Sequence, residues 1–206
     1  MMEDVSIASV HARIAELQSV LAPKPPETAT PAGFAGALQG AVGASPVSGL
    51  GALPAATGGT PAGQAMLDAA RNEIGQAEQP PGSNDSPRIA QYRQATAGSG
   101  VGPWCAYFVS WAAREAGAPV GPQGQGFGSV DALYSWAQGA GKAIPNGAGV
   151  APQPGDLIVW DEHIGMVEAV RPDGSIQTVE GNSSNAVTRR VHGSDGDGAI
   201  GYVRLG

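Results

Sequence analysis

Four side chains of this sequence have the types and the spacing to cleave an amide bond by thiol chemistry. Cys105 is the single cysteine in 206 residues, and it follows a Gly-Pro break at the start of an apolar, helix-compatible run. The first turn of a helix has free backbone N–H groups and the positive end of the helix dipole, which favour a thiolate. His163 lies in a later segment as the candidate base, and Glu180 and Asn182 lie in the next segment as candidates to orient its ring. The alternative is that Cys105 is only a small core residue, but these partners favour a nucleophile.

The expected pairing of the two later segments brings the polar side chains to one face of a sheet. If residues 171–174 form a four-residue hairpin loop, Gly165 lies opposite Glu180 and His163 lies opposite Asn182. Directly opposed residues point to the same face, and a one-residue slip would move His163 to the other face. Gly165 leaves room for the long Glu180 side chain to reach the imidazole. Either Glu180 or Asn182 can then accept a hydrogen bond from the ring nitrogen that does not face the thiol.

The elements that must position these residues are helices up to about residue 138 and strands after residue 147. Apolar spacing and capping residues predict helices at about 66–74, 86–94, 105–116 and 130–138. The hydrophobic period then changes, and it predicts strands at 155–160, 163–170, 176–182, 186–191 and 199–205. Short turns between them indicate an antiparallel meander. The predicted class is therefore α+β, with N-terminal helices packed on an antiparallel β-sheet.

Composition divides the chain into three parts. Residues 1–21 carry apolar side chains at helical spacing and predict an amphipathic helix, either a docking or export segment or a helix packed on its own domain. Residues 22–63 consist mostly of Ala, Gly, Pro, Ser and Thr, which cannot bury enough apolar area to offset the entropy of ordering, so they predict a flexible linker. Residues 64–206 then form the catalytic domain, which has an ordinary domain size.

Charge and motif content exclude several other functions. The formal net charge of −7 argues against a nucleic-acid or anionic-membrane surface, and no apolar run approaches the roughly 20 residues that span a bilayer. The sequence has no CxxC, no HExxH and no pair of histidines at ligand spacing, so neither a metal nor a cofactor is predicted. His192 follows two arginines at the end of a strand and is predicted to be a surface residue.

Three sequence blocks carry a family resemblance: Trp-Cys-Ala-Tyr-Phe-Val-Ser-Trp at 104–111, Pro-Gly-Asp-Leu-Ile-Val-Trp at 154–160 with His-Ile-Gly-Met-Val at 163–167, and Val-Glu-Gly-Asn-Ser at 179–183. With these blocks, residues 66–206 resemble the CHAP family, the cysteine- and histidine-dependent amidohydrolases/peptidases that cut bacterial peptidoglycan. The resemblance implies a papain-like fold of the NlpC/P60 superfamily, with Cys105 as nucleophile, His163 as base, and Glu180 and Asn182 completing the site. It also implies cleavage of a wall amide, either the N-acetylmuramoyl-L-alanine bond or a peptide crosslink.

The resemblance also bears on cofactors, location and partners. Some phage members carry an acidic calcium-binding run just before the cysteine, and residues 97–103 contain no acid, so we expect no calcium requirement. The N-terminus is acidic and does not read as an ordinary signal peptide. The expected location is therefore the cell envelope, reached by specialised export or phage release, with an export, flagellar or phage partner for the N-terminal helix. Two other classes stay open: a non-catalytic wall-binding or assembly module, and a thiol amidase or acyltransferase acting on a small amide.

Overall fold

The computed structural model of the protein describes residues 58–206. The predicted N-terminal helix (1–21) and most of the predicted linker lie outside the described residues. Within these residues, four helices precede the sheet: Pro61–Arg71 (α1), Pro87–Arg93 (α2), Cys105–Glu115 (α3) and Val130–Gly139 (α4). Six strands follow, at Ala143–Pro145 (β1), Leu157–Val159 (β2), Ile164–Val170 (β3), Ile176–Ser183 (β4), Ala186–His192 (β5) and Gly201–Val203 (β6). The predicted α+β class is confirmed.

Three of the four helices begin at a side-chain cap. Thr60, Ser86 and Ser129 each accept a hydrogen bond from a backbone N–H of the following first turn. Proline also stands in the first turn of α1 and α2, where its missing N–H costs nothing. Because of the Thr60 cap, α1 begins at Pro61, slightly before the predicted start of the ordered domain at residue 64.

The sheet is antiparallel throughout, with strand order β1-β6-β2-β3-β4-β5. The predicted meander is correct for β2 to β5. It is wrong for β6, which returns across the sheet to pair with β2 instead of β5. Strand β1 was not predicted, because it has three residues and forms only by pairing with β6 at the edge.

Helix α3 is the central element of the core, and it packs against α1, α2, β3 and β4. Its aromatic side chains Phe108 and Trp111 join Trp104 and Tyr92 in a buried cluster with ring centroids 5.0 to 6.3 Å apart. Full burial of each such side chain is worth about 1.5–3 kcal/mol. A Cβ at Gly181 would lie 2.7 Å from Phe108, so glycine lets α3 approach β4 closely.

None of the helices within residues 58–206 combines the length and the apolar character that a membrane span requires.

Candidate active site

Cys105 is the first residue of α3, as the sequence predicted. No side chain caps this end of the helix, so the backbone N–H groups of the first turn are left free of a side-chain acceptor. The thiol belongs to a residue that is only 4% exposed, yet it lines an open cleft of about 330 Å³. The cleft is bounded by Pro103, Gly128, Ser129, Val130, Asp131, Asp161 and Glu162. Its burial among the core residues fits the core-residue alternative, whereas its position at the cleft fits the predicted nucleophile.

His163 stands in the tight turn between β2 and β3. The turn is closed by the Trp160 N–H, which donates to the His163 carbonyl at 2.8 Å. The imidazole lies against the Trp160 ring, with centroids 5.6 Å apart. Its Nε2 lies 2.9 Å from Oε2 of Glu180. Burial opposes the charged ring, but hydrogen bonds and opposite charges from Cys105 and Glu180 outweigh it and raise the pKa of His163 to about 9.

Glu180 is a buried carboxylate on β4, only 2% exposed. Its Oε2 faces His163, and its Oε1 accepts a hydrogen bond from the Thr178 hydroxyl at 2.6 Å. Burial opposes its ionisation, yet hydrogen bonds from His163, Thr178 and His192 outweigh that cost and lower the pKa of Glu180 to about 2. The carboxylate is therefore negative throughout the neutral range.

The register of β3 against β4 brings Glu180 to the imidazole, although the hairpin differs from the predicted one. Val170 pairs with Ile176, so the loop has one residue more than the four predicted. A β-bulge between Val167 and Ala169 then shifts the register back by one. Met166 pairs with Val179, which places Gly165 opposite Glu180 as expected. A Cβ at Gly165 would lie 2.7 Å from Cγ of Glu180, so only glycine leaves this space.

Asn182 lies elsewhere than the sequence analysis expected. A second bulge, between Glu180 and Ser183, gives Asn182 a φ of 59° and takes it out of the regular pairing opposite His163. Its Oδ1 accepts from the backbone N–H of Trp104 at 3.3 Å, and its Nδ2 donates to Glu78 at 3.1 Å. Among the described residues its hydrogen bonds reach the segment before Cys105 and do not reach the imidazole. The expectation that Asn182 flanks the ring is therefore corrected, because the bulge turns the side chain away.

Glu78 and Trp104 form a hydrogen-bonded group with Asn182. Its carboxylate is 3% exposed and accepts from the Trp104 indole N–H at 3.0 Å and from the Asn84 backbone N–H at 3.0 Å. Trp104 is fully buried, so it belongs to the core rather than to the wall of the cleft. These hydrogen bonds link the segment between α1 and α2 to Trp104, the residue that precedes Cys105. They therefore fix where α3 begins.

His192 is the site residue that sequence reasoning missed. It was predicted to be a surface residue, but its side chain is 15% exposed and its Nε2 lies 2.7 Å from Oε1 of Glu180. A regular β4–β5 hairpin continued from the Ser183–Ala186 pair would place His192 on the opposite face from Glu180. The bulge shifts the register, Glu180 pairs with Thr188, and His192 comes to the same face. No local sequence signal marks that bulge.

Within residues 58–206, no three His, Cys, Asp or Glu side chains group so that they could hold a metal ion. The groups described above are a thiol that borders the cleft and, in the turn after β2, an imidazole that is hydrogen-bonded to an ionised carboxylate.

Comparison with known proteins gives one match. The family model for the CHAP domain matches residues 96–182, a range that includes Cys105, His163, Glu180 and Asn182. No curated protein and no solved structure matches the chain. CHAP domains are usually peptidoglycan amidases or peptidases, and the four helices and antiparallel sheet are consistent with their papain-like fold. The family implies a peptidoglycan substrate and action at the cell wall. The chain therefore contains a CHAP domain, at residues 96–182.

Proposed function

We propose that this protein is a cysteine-dependent peptidoglycan hydrolase that cleaves an amide bond of the cell wall. The roles are Cys105 as nucleophile, His163 as general base and acid, and Glu180 as the residue that orients the imidazole. The observation that carries the proposal is the imidazole of His163, whose Nε2 lies 2.9 Å from the carboxylate of Glu180 and whose pKa is raised by that carboxylate together with the thiol of Cys105.

The bond to Glu180 fixes how the imidazole meets the thiol. Because Nε2 donates to Glu180, Nδ1 is the nitrogen left to take the proton of Cys105. The result is a thiolate beside an imidazolium, and Glu180 stays ionised to stabilise the imidazolium because its pKa is about 2.

The thiolate then attacks the carbonyl carbon of the amide, and a carbon–sulfur bond forms. The oxyanion lies near the N-terminus of α3, whose first-turn N–H groups have no side-chain cap to accept them. The imidazolium of His163 gives its proton to the leaving amine as the carbon–nitrogen bond breaks. Water, deprotonated by His163, next hydrolyses the thioester, and the carboxylic acid product leaves with Cys105 restored as a thiol.

Asn182 has a different part in this proposal. It holds the backbone of Trp104, and through it the start of α3, so that the thiol and the helix N–H groups stay in register with the substrate carbonyl. It acts on the nucleophile's side of the site rather than on the imidazole.

The test is hydrolysis of purified cell walls by the full chain and by Cys105→Ala. We expect the variant to lose at least about a thousandfold in rate, because no other group can form the thioester. The matched control is Glu115→Gln, an exposed residue at the far end of the same helix, which should keep full rate. Labelling of the newly released amines would show whether the muramoyl–alanine amide or a crosslink is cut.

Two outcomes would overturn the proposal. One is wall binding by the full chain without any release of amines, which would indicate a non-catalytic wall-binding module. The other is equal release by the full chain and Cys105→Ala, which would exclude Cys105 as nucleophile.

A further inference from the structure

A second imidazole contacts the carboxylate that orients His163. His192 Nε2 lies 2.7 Å from Oε1 of Glu180, and His192 Nδ1 lies 3.0 Å from Oδ2 of Asp197. Glu180 therefore lies between two histidines, with one oxygen turned to each. His192 lies outside the range that matches the CHAP family model.

Both partners of His192 are carboxylates, one on each ring nitrogen. An ionised carboxylate only accepts hydrogen bonds, so a ring nitrogen that faces one must donate. Glu180 is ionised because its pKa is about 2, and a hydrogen bond from the Gly193 N–H, together with one from His192, lowers the pKa of Asp197. A ring that makes both contacts therefore donates from both of its nitrogens.

Trp160 and the loop after β5 hold this ring in place. The Trp160 ring lies against both imidazoles, with centroids 4.8 Å from His192 and 5.6 Å from His163. Its indole N–H donates to the Gly196 carbonyl at 2.7 Å, which ties the loop to the site. Asp197 of the same loop is fixed by the Gly193 N–H at 2.9 Å.

We propose that His192 is a positioning residue that acts through Glu180 on the protonation of the Cys105–His163 pair. The inference rests on the roles of Cys105 and His163 in the proposed function. By binding Oε1, His192 keeps Oε2 directed at His163. In the form that donates to both Glu180 and Asp197, His192 also offsets part of the negative charge of Glu180, so that the His163 imidazolium gives up its proton to a leaving amine more readily than it would beside Glu180 alone.

Other charged groups around His192 must be separated from this effect. They come from β4, from the loop after β5, from the turn after β3 and from β5 itself: Glu180, Asp195, Asp197, Arg171, Arg189 and Arg190. Arg189 is bound to Glu168, and Arg171 is bound to Gln177. Arg190 is exposed, so solvent screens its charge.

The test is the pH dependence of alkylation of the single cysteine by iodoacetamide, which reports the thiolate of Cys105 without any cell-wall substrate. The full chain is compared with His192→Gln, His192→Lys and Arg190→Gln, each checked for folding by circular dichroism. His192→Gln keeps an N–H donor and removes the charge. The alkylation profile has two steps, one for each proton lost by the Cys105–His163 pair, and both should move to higher pH by about half a unit or more. His192→Lys keeps a positive donor and should recover at least half of that shift. Arg190→Gln removes a positive charge on the same strand and should leave the profile unmoved.

The outcomes separate this inference from the proposed function. A profile unmoved by His192→Gln, or moved equally by Arg190→Gln, would overturn the role of His192 whatever the activity on walls. A His192 shift in a protein that releases no amines from walls would support the role of His192 and overturn the proposed hydrolase.

Discussion

Replacing Glu180 by Gln tests the central electrostatic claim about this site. The substitution keeps the size of the side chain and an oxygen that can accept from Nε2 of His163, but it removes the charge. The pKa of His163 is raised from 6.5 to about 9, a difference of about 2.5 units (9 − 6.5), equivalent to about 3 kcal/mol. Cys105 and Glu180 together cause that rise against the opposing effect of burial. If Glu180 supplies about half of the net rise, its loss removes about 1.5 kcal/mol.

The sign of the expected change follows from the charge. A nearby negative group favours the imidazolium, so removing it lowers the pKa of His163, and the ring loses its proton at a lower pH. The upper limb of the pH–rate profile should fall from about 9 to about 8. Turnover at neutral pH should fall roughly tenfold or more, since each 1.36 kcal/mol of lost transition-state stabilisation costs a factor of ten.

The assay is kcat/KM on a soluble wall fragment across the pH range, because the free enzyme's groups determine that profile. Glu162→Gln is the matched control. Glu162 is an exposed carboxylate next to His163 in the sequence, and it lines the cleft with Cys105. Glu162→Gln removes the same charge as Glu180→Gln, but it removes no hydrogen bond to the imidazole. An upper limb that stays at its wild-type pH in Glu180→Gln, or that moves as far in Glu162→Gln, would refute the reasoning.

Three further results are expected. Asn182→Ala should lower kcat at least several-fold and leave the upper limb unmoved, because Asn182 holds the Trp104 backbone and not the imidazole. Lowering the pH from about 5 towards 2 should destabilise the fold by about 2–3 kcal/mol through Glu168 alone. Burial opposes the ionisation of Glu168, but its hydrogen-bond partners outweigh burial and lower its pKa to about 2. Its stabilising contribution is therefore complete above the pKa of the unfolded chain and is lost as the carboxylate of the folded protein takes up a proton. Alkylation of Cys105 should abolish hydrolysis, and EDTA should leave the rate unchanged.

Each of these predictions has a result that would contradict it. For Asn182, an upper limb that shifts would mean that it acts on the imidazole after all. For Glu168, chemical denaturation of Glu168→Gln should show a flatter acid dependence than the parent, with exposed Asp131→Asn as the control; equal slopes would contradict the assignment. For the chelator, activity lost with EDTA and restored by calcium would show a metal requirement.

Local sequence patterns were sufficient to predict the helices and the position of Cys105 at a helix start. Capping residues and apolar spacing act over a few residues, so Ser86, Ser129 and the run after Pro103 mark helix starts that the structure contains. The strand pattern and short turns likewise predicted the β2 to β5 meander. The face shared by His163 and Glu180 was expected from a four-residue loop, and in the structure a five-residue loop and a bulge together restore it.

The remaining features depend on pairing between distant segments, which a local pattern does not contain. Strands β1 and β6 pair with each other and with β2 only once the sheet is assembled. The two bulges decide which side chains share a face, since one extra residue reverses the alternation of everything beyond it. One bulge keeps Glu180 beside His163. The other turns Asn182 towards Trp104 and brings His192 to Glu180. The sequence by itself thus determined which residues could do the chemistry, and only the tertiary structure decided which of them meet, because strand register is set by packing of the whole sheet rather than by neighbouring residues.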